Sequence, residues 1–317
     1  MAKHWSQVQE SGALLGIRFM FFVHRWLGWW LLKLCAYPVI LYFFLIKKPA
    51  RQASHDYLEK IKCHGGLPKN ANLRYWSLRH FFQFGRNLLD RLAAWSGAFN
   101  YDNVAFHQRD DFLQLMEKRT GALVIVSHLG NLEICRALLN TSQAVKLNIL
   151  VYSEEAEKFN RLMKEIDEDR HINLIQVTEV TPATAIILRE KLDAGEVIAT
   201  SGDRTPPGGG RQTTAAFLGA PALFPQGPYI LASVLQCPVY LMFCVRNASG
   251  YQIFFESFAS KIRLSRKSRE ADLETWVQKF ADRLAFYALR FPLQWNNFYD
   301  YWNQLSSKPD QPAPTSD

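Results

Sequence analysis

Between residues 122 and 258 short apolar runs alternate with amphipathic ones. ALVIVS (122–127), KLNILVYS (146–153), INLIQV (172–177), EVIATS (196–201), CPVYLMFCV (237–245) and YQIFFESF (251–258) have the length and the β-branched and aromatic content of buried strands. Between them NLEICRALLN (131–140), the charged EEAEKFNRLMKEIDED (154–169) and TPATAIILREKLDAG (181–195) carry helical spacing. The last of these predicts Thr181 as N-cap, Pro182 at the first helical position and an end on Gly195. A final helix over 271–290 places Leu273, Trp276, Val277, Phe280 and Leu284 on one stripe. Residues 54–100 repeat apolar positions three and four apart, as at Phe81, Phe84, Leu88 and Leu92, and WSGAFNYDN (95–103) closes them with a turn. This alternation predicts an α/β fold: a mostly parallel central sheet flanked by helices.

The amino-terminal part follows another rule. From Trp26 to Ile46 the only charge is Lys33, and Pro38 interrupts the run. The run is long enough to span a bilayer; the alternative is that Pro38 divides it into two shorter helices lying in the interface. Lys47, Lys48 and Arg51 follow, which favours a cytoplasmic position for everything downstream. The predicted organisation is an N-terminal membrane-associating helical segment (1–52), an α/β domain (53–303) and a polar, proline-rich, disordered tail (304–317).

Composition narrows the classes. The formal net charge of +8 suits anionic partners, and aromatics at 14% suit a membrane interface or an apolar site. No nucleic-acid-binding pattern accompanies the charge, so no nucleic acid is expected. The five cysteines, at 35, 63, 135, 237 and 244, form no C-x-x-C, which disfavours a disulfide framework or zinc site and leaves buried, reduced thiols. KIRLSRKSR (261–269) holds five cations and no acid; it reads as a solvated face or as a dock for acidic protein or anionic lipid.

In an open sheet, sites gather at the carboxyl ends of strands. His128, Ser153 and the pair Asp203–Arg204 follow three of the predicted strands. His128 opens HLGNLE, with Glu133 five residues on. On a continuous helix the two would point apart, so the pair requires His128 in a strand-to-helix loop, a tight turn at Gly130 and an N-cap at Asn131. Glu133 could then brace the imidazole as a general base. Chance spacing places about one His-x4-acid pair in a chain of this composition, so a satisfied loop histidine and an acid at a helix N-terminus fit equally. No G-x-S-x-G elbow and no phosphate-binding glycine loop occurs, which disfavours an esterase or nucleotide site of those types; a histidine base without a protein nucleophile suggests direct transfer to a bound acceptor.

HLGNLE, the block 195–243 with Asp203, Arg204, Phe217 and Gly219, and PLQW (292–295) together resemble the lipid A biosynthesis (lauroyl/myristoyl) acyltransferases of the lysophospholipid acyltransferase superfamily. The resemblance runs from the apolar N-terminus to about Trp302 and is greatest to a bacterial side branch not dedicated to lipid A. It implies His128 as base and Glu133 as its partner, with Asp203 and Arg204 in matching places; beside the resemblance, Gly130 and Asn131 at the helix N-terminus and Arg211 in the glycine-rich loop RTPPGGGRQ (204–212) are candidates to face the substrate. Gly130 and Asn131 would offer backbone N–H donors to an oxyanion. It also implies an acyl carrier protein, or as second choice coenzyme A, as acyl donor, a lipid-like acceptor, a bacterial inner-membrane location, and neither metal nor bound cofactor. Two departures, Ser153 where those enzymes tend to have arginine and NNFYDYW where their end is arginine-rich, argue against a phosphorylated disaccharide acceptor. A non-catalytic lipid-binding protein and a lipid hydrolase are the alternatives.

Overall fold

The computed structural model describes residues 34–95, 97–142, 146–151, 172–176, 181–205 and 210–303. The helix expected over 154–169, the disordered tail and Ser153 lie outside these residues.

Among the described residues nine strands form: β1 (Val104–His107), β2 (Ala122–Gly130), β3 (Leu147–Val151), β4 (Ile172–Gln176), β5 (Val197–Ser201), β6 (Gln212–Phe217), β7 (Ala220–Pro225), β8 (Val239–Asn247) and β9 (Gly250–Ala259). Seven make one sheet in the order β1-β9-β8-β2-β5-β3-β4. Only β8 and β9 pair antiparallel in it, so the expected mostly parallel sheet is present. β2 is central and buried on both faces, which is why ALVIVS reads as a continuous apolar run. The helices are α1 (Lys48–Cys63), α2 (Leu73–Trp95), α3 (Arg109–Glu117), α4 (Leu132–Ser142), α5 (Pro182–Asp193), α6 (Gly227–Leu235) and α7 (Arg269–Arg290). The Thr181 hydroxyl accepts from the Thr184 N–H at 3.2 Å, so the predicted cap of α5 forms. The predicted stripe of α7 is also in place, with Leu273, Val277, Phe280 and Leu284 fully buried.

The β6–β7 hairpin lies outside the sheet and packs on α7, where Gln278 bonds both backbone groups of Ala216. Its two-residue turn places Leu218 and Gly219 in the left-handed region. β1, α3, the hairpin and α6 leave no separate mark in the hydrophobic pattern: β1 has four residues, and β6 is rich in Thr and Ala.

Residues 34–46 are helical through Pro38, and the chain breaks instead at Lys47, where Lys48 and Pro49 open α1. Tyr37, Ile40 and Phe44 of this segment pack on Phe82, Gly85 and Phe81 of α2. Leu34, Val39, Leu41, Tyr42, Phe43, Leu45 and Ile46 remain exposed. Among the described residues no helix is long and apolar enough to cross a membrane.

The basic run sits at the amino end of the central strands. Ala259, just before it, pairs with Val239, which pairs with Leu123 at the start of β2. His128 is near the other end, about 20 Å along the strand. The 22-residue α7, about 33 Å long, then carries the chain back toward His128.

Candidate active site

β2 does not stop at Ser127. It continues to Gly130 with an irregularity against β8 between Val126 and Gly130. His128 therefore belongs to the strand end, not to a loop beyond it. Its backbone is held by a returning segment after α7: Leu129 bridges Trp295, and the Asn296 N–H donates to the His128 carbonyl at 2.9 Å. β5 runs parallel beside β2, with Val126 opposite Ser201, and this register brings Asp203 against His128.

The Asp203 carboxylate is buried and accepts four donors. Oδ1 takes the His128 Nδ1–H at 2.8 Å and the Ser201 hydroxyl at 2.9 Å. Oδ2 takes the His128 backbone N–H at 2.8 Å and the Trp295 indole N–H at 3.0 Å. Burial alone would raise this carboxyl; His128, Arg204 and the indole outweigh it and hold it well below the usual carboxylate range. An ionised Asp203 assigns the ring proton to Nδ1 and leaves Nε2 as an acceptor. Burial and then Arg204 lower the His128 pKa, against the pull of Asp203. The side chain keeps 31% of its surface accessible, so a neutral imidazole is presented at the rim of the sheet.

Glu133 is placed differently from the expectation. It falls in the first turn of α4, but its two carboxylate oxygens accept from Arg136 at 2.9 and 3.0 Å. The carboxylate on the His128 ring is Asp203, seventy-five residues away in sequence. Asn131 does cap α4, its side chain accepting from the Glu133 N–H at 3.3 Å. Gly130 adopts φ +82°, and a Cβ there would lie 1.7 Å from the Cys244 carbonyl oxygen.

The two backbone donors expected for an oxyanion are engaged internally. The Gly130 N–H donates to the Gln294 carbonyl at 2.8 Å and the Asn131 N–H to the Cys244 carbonyl at 2.7 Å. Both residues shape the strand-to-helix turn. Arg204 stays close: it donates to the Asn296 carbonyl at 2.8 Å, lies over Tyr299, and its charge is felt at His128. Arg211 is exposed just before β6. Phe217, which packs on Trp295, is at the other end of that strand, about 20 Å away.

The residues 294–297 complete the site; in the sequence they straddle PLQW (292–295) and the start of NNFYDYW (296–302). Gln294 bonds both backbone groups of Arg246, and Asn296 donates to the Gly130 carbonyl at 2.9 Å. From α2, the His80 Nε2–H reaches the Trp295 carbonyl at 2.9 Å, and the Asn87 amide reaches Asn296 Oδ1 at 3.2 Å. Ser201 carries no mark in the sequence: it ends β5 as one more small polar residue.

A neutral histidine held in one tautomer by a buried aspartate has the chemistry a general base needs. No curated protein matches the chain. A family model described as bacterial lipid A biosynthesis acyltransferase matches residues 88–304, a span that holds His128, Glu133, Asp203, Arg204 and the 294–297 segment. The chain is an acyltransferase and belongs to the bacterial lipid A biosynthesis acyltransferase family.

Proposed function

We propose that the protein moves a fatty acyl chain from the thioester of an acyl carrier protein, with acyl-coenzyme A as the second choice, to a hydroxyl or amine of a lipid-like acceptor at the bacterial inner membrane. The acceptor O–H or N–H lies against His128 Nε2. As its proton passes to the imidazole, the acceptor atom bonds to the thioester carbonyl carbon and an oxyanion forms. The carbonyl re-forms, the C–S bond breaks, and the imidazolium returns its proton to the leaving thiolate. Asp203 keeps Nδ1 protonated throughout and stabilises the imidazolium, the role first expected of Glu133. Arg204 supplies positive charge toward the oxyanion. Glu133 acts with Arg136 on the substrate side.

One observation carries this reading: the 2.8 Å contact of His128 Nδ1 with the buried Asp203 at the open end of two parallel strands. The exposed apolar faces of residues 34–46, next to Lys47, Lys48 and Arg51, support the membrane location, with the catalytic domain on the cytoplasmic side. Fractionation of cells expressing the full chain tests that location; recovery in the soluble fraction alone defeats it. The chemistry is tested with radiolabelled lauroyl-acyl carrier protein and total membrane lipid. Wild-type protein should give a labelled lipid, and His128→Ala should lose about 10²–10⁴-fold in rate with its thermal transition unchanged. Near-normal transfer by that variant would sink the assignment.

A further inference from the structure

α2 contributes a buried histidine that the transfer chemistry does not use. His80 is fully buried and more than two hundred positions from its partner in sequence. Its hydrogen bonds run in one direction. The Ser77 hydroxyl donates to Ser54 Oγ at 2.9 Å, the Ser54 hydroxyl meets His80 Nδ1 at 3.0 Å, and Nε2 meets the Trp295 carbonyl at 2.9 Å. A carbonyl only accepts, so the ring proton is on Nε2 and Nδ1 accepts from Ser54. The ring also stacks on Phe298 at 4.4 Å, and Tyr57 packs against both His80 and Trp295. Thus the carbonyl of Trp295 is gripped from α2 while its indole N–H holds Asp203 Oδ2 at 3.0 Å.

We propose that His80 is a positioning residue: by fixing the Trp295 backbone it aims the indole at Asp203, and through Asp203 it sets the orientation of the His128 ring. The inference rests on the reading of His128 as the transfer base. An apolar residue of similar size would fill the space but leave the Trp295 carbonyl without a donor. The peptide could then rotate, and the indole would leave Oδ2. His80→Gln keeps an N–H at the reach of Nε2 and serves as the conservative rescue.

The test uses the full chain in detergent micelles with radiolabelled lauroyl-acyl carrier protein and total membrane lipid. His80→Phe, His80→Gln, Trp295→Phe and His128→Ala are compared, each first checked for a cooperative thermal transition. His80→Phe is expected to lose about 10- to 100-fold in kcat with KM changed less than about threefold, the size of effect a small misplacement of a reacting group produces. His80→Gln should recover to within about threefold of wild type. Asp203 raises the His128 pKa while Arg204 and Arg91 lower it. A loosened Asp203 therefore moves the acid limb of the kcat/KM profile to lower pH in both His80→Phe and Trp295→Phe, which a role in folding alone would not do. The reaction of His128 with diethylpyrocarbonate, read by mass spectrometry, reports the same shift without any acyl substrate. A folded His80→Phe with wild-type kcat and an unmoved acid limb overturns the proposal. If His80→Phe does not fold, Trp295→Phe and His80→Gln decide: an unmoved limb in Trp295→Phe, or a displaced one in His80→Gln, overturns it. Activity surviving in His128→Ala would instead remove the base assignment, leaving the diethylpyrocarbonate profile of His128 as the separate reading of His80.

Discussion

Two carboxylates compete for the part of base partner, and their surroundings separate them. Asp203 is buried, takes four donors and holds the ring nitrogen; Glu133 is 18% exposed and forks a guanidinium. Asp203→Asn would present an amide N–H to Nδ1 and drive the ring proton to Nε2, the atom that must accept. We expect a loss on the order of 10³–10⁴-fold in kcat. Glu133→Gln keeps a fork for Arg136 with less charge, so its loss should be at least about tenfold smaller and fall mainly on KM. Steady-state kinetics of the pair decide; equal losses in kcat would return Glu133 to the base. The direction of the His128 shift adds a pH expectation. A base with a lowered pKa is already neutral at pH 7 and gains its proton only in acid. Wild-type kcat/KM should therefore be flat at neutrality and fall through an inflection below 6.5, the ordinary histidine value.

At the scale of elements, α2 is the scaffold on which the site is assembled. Ser77, His80, Asn87 and Asp90 are three, seven and three apart, so they share a face, and all four are buried. His80 and Asn87 hold the 294–297 segment, while Asp90 accepts from Tyr251 at 2.7 Å and from Arg246 at 2.9 Å. Burial pushes the His80 pKa down to about 4 despite its bond to Trp295. The folded chain then resists a proton that the unfolded chain accepts below about 6.5. Stability should be level above that pH and fall as pH drops toward 4, by up to about 3 kcal/mol from this ring. Urea unfolding at several pH values measures it, and His80→Gln should flatten that part of the slope. None of this stripe is legible in sequence, because polar residues at helical spacing look like a solvated face. What was legible is local. The Thr181 and Asn131 caps, the turn at Gly130 and the apolar strands each depend on neighbours within a few positions. The His128–Asp203 contact depends on β2 lying beside β5, and spacing cannot carry that information.

For the whole molecule, the sheet has two chemically different ends. His128, Asp203, Arg204 and the 294–297 segment occupy the carboxyl end of β2 and β5, and α2 there also bears the exposed apolar segment 34–46. The run 261–269, the densest cationic stretch in the sequence, lies at the amino end. A carrier protein docked on that run would have to deliver its thioester past about 20 Å of strand. The same run is also removed from the apolar segment that we place at the bilayer. Charge alone made it a candidate dock, and topology argues that it is a solvated face. Replacing Lys261, Arg263, Arg266 and Lys267 with serine, all exposed, should leave kcat/KM for the acyl carrier protein within about twofold of wild type. Reversing Arg204, by contrast, should reduce kcat itself. If the four-site variant instead raises KM for the carrier tenfold and weakens its salt dependence, the donor binds at the amino end, and the path from there to His128 must run along the outside of the sheet.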